Sequence, residues 1–169
     1  MSIFSPNPRG ELLRRLVPSF TVLLGLLLMA LPLPLAWGVM PHLALLLVVL
    51  WASIQPRLMP VWAAFLLGLA ADLLFGAPIG IWALLFPAAV AAVRLAESRV
   101  EGHSLALDWA FASLIAGVAL LLAWQALHFL GSSPPLLPFL VQALLTLLAY
   151  PPVAAFAARV QRRLVAIDG

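Results

Sequence analysis

The chain has 169 residues, 65% of them hydrophobic and only 9% charged, with a mean hydropathy of +1.15. A soluble domain carries roughly a quarter charged residues, so this composition excludes a water-solvated globule and requires a lipid-facing surface. The absence of cysteine excludes disulfides, thiolate metal sites and a cysteine nucleophile; the net charge of +3 comes from nine basic residues, all arginine, with no basic soluble face on which nucleic acid would settle.

A spanning helix needs about 20 apolar residues to cross a hydrocarbon core some 30 Å thick. The first candidate runs from about Leu16 to Trp37 and is broken at its outer end by Pro32 and Pro34. No small-x-small cleavage site follows it, so it reads as a retained helix rather than a signal peptide. The second runs from about Pro41 to Ser53 and the third from about Pro60 to Phe75. Both are short: they span by borrowing interfacial residues, with Arg57 snorkelling to the headgroups, or they form a re-entrant hairpin. The fourth covers about Pro78 to Leu95, the fifth Leu105 to Leu130 and the sixth Leu136 to Ala158. Pro41, Pro60, Pro78 and Pro138 sit near helix starts, where a missing N–H is harmless. Pro87 and the pair Pro151–Pro152 fall inside helices, and bundle packing is the plain reading of the bends they impose.

All nine arginines fall on one side of this six-helix arrangement: Arg9, Arg14 and Arg15, then Arg57, then Arg94 and Arg99, then Arg159, Arg162 and Arg163. Positive residues mark the cytoplasmic side. The expected fold class is therefore an all-α integral membrane protein, one polytopic domain over residues 1–169, with six transmembrane helices and both termini cytoplasmic. Arg159, Arg162 and Arg163 share a helical face suited to anionic lipid headgroups or a cytoplasmic partner.

One acid stands out. In "LAADLLFGAPIGIW", Asp72 lies near the end of the third helix, on a stripe of small residues formed by Ala64, Gly68 and Gly76. Such a stripe permits another helix to approach closely. Gly76 suits a left-handed helix terminus, Pro78 can start the next helix, and Gly80 lets that helix pack closely. Asp72 can then accept hydrogen bonds from the N–H groups freed at the start of the fourth helix, favoured by its dipole. Contact with a partner and proton or ion translocation are the alternatives, the latter disfavoured because no other acid lies in mid-membrane. Gly68, Gly76, Gly80 and Ala83 offer a lateral surface for a partner helix.

The remaining polar residues are weaker candidates. Glu97 and Glu101 share a loop with Arg94 and Arg99, and Asp108 sits in the first turns of the fifth helix, where a negative charge suits the dipole. His42 and His128 on different helices make an incomplete zinc site, since a structural site uses four ligands. Trp37, Trp82, Trp51, Trp62 and Trp109 read as interfacial anchors. With no nucleophile–base pair, no phosphate-cradling glycine loop and no paired carboxylates, the reading is non-enzymatic, without cofactor or metal.

The stretch "VWAAFLLGLAADLLFGAPIGIWAL", with an arginine-bearing start and a short second helix, resembles the rod shape-determining protein MreD family. Members carry a G-x-x-x-D-x-x-x-G-x-P-x-G pattern, matched here by Gly68, Asp72, Gly76, Pro78 and Gly80. The resemblance covers nearly the whole chain. It implies a multi-pass protein of the bacterial inner membrane, a non-enzymatic member of the machinery that builds the lateral cell wall. The implied partners are MreC, a bitopic protein, and through it MreB filaments, RodA and a class B penicillin-binding protein. It also implies a fold similar to the substrate-binding subunits of energy-coupling-factor transporters. A vitamin-type transporter subunit is therefore the alternative function, with Asp72, His42, His128 and Gln125 as its thin set of polar groups.

Overall fold

The computed structural model describes residues 8–31, 39–97, 105–132 and 134–166. Among them are six α-helices and no strand: α1 (Pro8–Ala30), α2 (Leu43–Ile54), α3 (Val61–Phe75), α4 (Ile81–Glu97), α5 (Leu105–Phe129) and α6 (Leu136–Ala166). Within α5 and α6, Leu107–Phe129 and Leu136–Val160 are long and apolar enough to cross a membrane, while the apolar parts of α1, α2 and α3 are shorter. The predicted outer part of the first helix, Pro32–Trp37, lies outside the described residues. The last helix runs beyond the expected Ala158, to Ala166.

The bundle is apolar on its outside as well as in its core, unlike a soluble protein. Leu73, Ile79, Leu84, Phe129 and Leu137 point outward, whereas His42, Asp72 and Thr146 are buried. Lipid tails are as apolar as leucine, so packing and hydrogen bonding between helices, rather than hydrophobicity, decide what lies inside.

The shortest helix forms the centre. Every residue of α2 from Ala44 to Ala52 is buried, and the helix packs against α1, α4, α5 and α6. A helix that is apolar all round is one that is surrounded. Two hydrogen bonds pin its ends: the His42 N–H donates to Thr146 Oγ1 of α6 at 2.8 Å, and Trp51 Nε1 donates to Thr21 Oγ1 of α1 at 2.8 Å. The Thr21 hydroxyl in turn donates to the Pro18 carbonyl. Trp51 is thus a core residue, 1% exposed, and not the interfacial anchor expected from its position near a helix end.

Around α2 the other helices follow in the order α1, α3, α4, α5, α6, each packed on the next. Buried Ala112, Ala116, Ala119 and Ala123 let α5 sit close to its neighbours. Between α1 and α6 the ring leaves a groove of about 290 Å³, where Leu43 and Leu47 of α2 are reached from outside, with Gly25 of α1 and Phe156 of α6 on its sides.

The arginines gather at one end of the bundle. Arg94, in the last turn of α4, donates to the carbonyls of Pro56 and Met59 at 3.0 Å each, so this end of α4 lies beside the α2–α3 connection that carries Arg57. The Trp51–Thr21 bond brings the start of α1, with Arg14 and Arg15, to the same end. The His42–Thr146 bond sets the first half of α6 at the opposite end, so the C-terminal part with Arg159, Arg162 and Arg163 returns to the arginine end. Arg99 lies outside the described residues.

The tightest approach is between α3 and α4. A Cβ built on Gly68 would collide with the Trp82 carbonyl and lie 2.8 Å from the Ala83 Cα. Those are backbone atoms, and they cannot give way as a flexible side chain would. Gly68→Ala should therefore lower the stability by about 1–3 kcal/mol or more, the range for overpacking, read as earlier detergent-solubilised melting; Gly117→Ala, with nothing within 4 Å of its added carbon, should melt like the parent.

Candidate functional site

Asp72 is fully buried, and its two carboxylate oxygens accept three backbone N–H groups. Oδ2 accepts from Gly80 at 2.9 Å and Ala83 at 3.1 Å, and Oδ1 accepts from Trp82 at 2.9 Å. These are donors at the start of α4, as the sequence predicts. The first N–H groups of any helix lack intrahelical partners, and in lipid there is no water to supply them.

Here the accounting closes. Ile81 donates to the Pro78 carbonyl at 3.4 Å, Trp82 and Ala83 donate to Asp72, and Leu84 donates to the Gly80 carbonyl at 3.1 Å. An N-cap residue ordinarily supplies the acceptor from its own side chain. The residue at that position is Gly80, which has none, so the acid of the preceding helix supplies it instead. The backbone of Asp72 closes the other helix: its carbonyl accepts from Gly76 and from Ala77, the latter at 3.0 Å. One residue thus terminates α3 and initiates α4.

The turn explains its own composition. Gly76 is left-handed at φ 62° and is exposed, as its place after an apolar helix predicted. Gly80 is needed for conformation and not for close packing: its φ is +115°, and an added Cβ would meet nothing within 4 Å. For the same reason α4 begins at Ile81, three residues after the predicted Pro78. Pro78 contributes a carbonyl to the turn instead of the first helical residue.

The small-residue stripe is an internal seam. Ala64, Gly68, Asp72 and Ala83 are all buried, and the backbone of α4 covers Gly68. The expectation that Gly68 and Ala83 offer a lateral surface to a partner is therefore corrected: the helix that the stripe admits is the protein's own.

The other candidates are dispersed. His42 is the N-cap of α2, with its Nδ1 accepting from the Leu45 N–H at 3.2 Å. Its ring lies against Trp82, centroids 4.2 Å apart, and near Phe86 at 6.1 Å. His128 is exposed and stacked on Trp124, and no group of three metal-ligating side chains occurs among the described residues. The four polar residues considered for a transported solute do not converge, since Asp72 is engaged at the start of α4 and His128 faces outward. Trp82 is buried beside His42, contrary to the interfacial reading, while Trp62 and Trp109 are exposed as expected. Arg159 is exposed on α6, followed on that helix by Arg162 and Arg163.

The family model described as rod shape-determining protein MreD matches residues 10–160. The chain belongs to the MreD family. No curated protein and no solved structure matches it at a significant level. MreD membership points to a role in rod shape determination, in a family of membrane proteins that serve cell shape and not known catalysis.

Removing the acid tests the junction. Asp72→Ala would leave the N–H groups of Gly80, Trp82 and Ala83 unpaired, and each orphaned buried group costs about 1–3 kcal/mol. The protein should melt much earlier in detergent and accumulate less in the membrane. Asp72→Asn keeps one acceptor oxygen and should fall between Asp72→Ala and the parent, whereas Asp108→Ala should melt close to the parent. Parent-like melting of Asp72→Ala would disprove the junction.

Proposed function

We propose that this MreD-family protein is a non-enzymatic scaffold of the bacterial cell-elongation complex, a single polytopic domain of the inner membrane. In this reading it crosses the membrane six times with both termini in the cytoplasm, and it supports lateral peptidoglycan synthesis by holding an MreC-like bitopic protein. MreB, RodA and a class B penicillin-binding protein are engaged indirectly, through that partner. Anionic lipids meet Arg159, Arg162 and Arg163. The kinship in fold with energy-coupling-factor transporter subunits is part of the same reading and rests on the resemblance alone.

The observation that carries the proposal is the open groove between α1 and α6. With the α3–α4 stripe closed internally, Gly68, Asp72, Gly76, Pro78 and Gly80 act by stiffening the hairpin and not by touching the partner. The groove is where a single added helix would complete the ring around α2, since Leu43 and Leu47 are reached there. Its apolar lining, with Leu24 and Leu28 of α1 facing Val153 and Phe156 of α6, suits a transmembrane helix.

Leu28→Trp and Val153→Trp, which fill the groove, should each reduce recovery of the MreC-like partner in membrane pull-downs about tenfold or more. Leu84→Trp, on the outer face of α4, should retain it. Full recovery with both groove variants would overturn this docking face. Reporter fusions after Leu95 and after Gly169 should give cytoplasmic signals and one near Gly131 an external signal; a periplasmic C terminus would overturn the topology.

A further inference from the structure

A second cavity, of about 450 Å³, lies at the end of the bundle away from the arginines. Its size falls in the range of small-ligand sites, which are mostly apolar with a few placed polar groups. Met29, Phe75 and Leu127 form apolar wall, and the polar groups come from His42, Trp82 and Gln142.

The hydrogen bonds already made fix what these three present. Nδ1 of His42 accepts from Leu45, so in the neutral ring the proton is on Nε2. His42 is only 2% exposed, yet Nε2 has no partner among the described residues and the ring lines the cavity. Gln142 donates from Nε2 to the Met40 carbonyl at 3.2 Å, which orients the amide and leaves Oε1 as a free acceptor. Trp82 brings an indole N–H, likewise unpaired among the described residues. The groups are neighbours by construction: the His42 N–H binds Thr146 Oγ1, Thr146 binds the Gln142 carbonyl at 2.6 Å, and the Trp82 ring lies tilted against His42.

Two N–H donors and one carbonyl acceptor on an apolar wall are the complement of a carboxamide attached to an apolar body. We propose that this cavity binds such a ligand, its carbonyl accepting from His42 and Trp82 and its N–H donating to Gln142 Oε1. The source is either a free small amide or the amide-linked acyl chain of a lipid; the chemistry of recognition is common to both.

The test uses the full chain in detergent and octanamide as the probe. Octanamide should bind saturably, one per chain, and octylammonium, which lacks the acceptor, about tenfold more weakly. Gln142→Leu should weaken octanamide about tenfold. Because that variant also loses the Met40 bond, Leu127→Trp, which fills the cavity while breaking no hydrogen bond, serves as the second and should abolish binding. Mass spectrometry of the organic extract of the membrane-purified protein separates the sources: an amide-linked lipid retained by the parent and lost from Leu127→Trp identifies the lipid. Octanamide binding equally to parent and Leu127→Trp, or not saturably at all, overturns the proposal, as does a cavity that cross-links only to a protein segment.

Discussion

The carboxylate of Asp72 joins two helices at a place where neither could end unaided. A helix that stops within an apolar environment leaves N–H and C=O groups with no water to receive them, and the α3–α4 turn exposes both kinds. Asp72 answers with its carbonyl for α3 and its carboxylate for α4. The close approach at Gly68 follows, because the same bonds draw Trp82 and Ala83 onto α3. From Trp82 the constraint passes to His42, whose ring packs against it, and so to the start of α2 and to α6.

The bundle is consequently organised by a small number of polar contacts placed at helix ends. Thr146 ties α2 to α6, Thr21 ties α2 to α1, and Arg94 ties α4 to the α2–α3 connection. Trp109 and Trp124 add bonds to the carbonyls of Leu147 and Pro134 around α5 and α6. Each contact uses a neutral or singly charged group against a backbone or hydroxyl partner. Such bonds are directional where apolar packing is not, and they fix the rotation and depth of helices whose surfaces are otherwise nearly uniform.

The Asp72 junction was legible in the sequence because an acid in an apolar run must find donors, and the nearest free donors are those just past a glycine–proline turn. The left-handed Gly76 was legible for a similar reason. The destination of the small-residue stripe was not: spacing shows that some helix approaches Gly68, and only the tertiary structure shows that it is α4. Trp51 and Trp82 were misplaced because a tryptophan near a helix end has the same local signature whether it meets a headgroup or, as here, Thr21 and His42. His42, directly after Pro41 and before an apolar run, had the position of an N-cap. Its bond to Thr146, 104 residues away, left no local trace.

That distance along the chain bears on how the protein is made. Chains are synthesised from the N terminus, so α1 and α2 are complete long before α6 exists. The Thr21–Trp51 bond is available at once, while the site that Thr146 will occupy stands vacant until nearly the whole chain has left the ribosome. The central helix therefore gains its neighbours one by one, α1 first, then α4 and α5, and α6 last. Its complete lack of charge, which seemed a mark of burial, is also what allows it to wait in lipid for the helices that later enclose it.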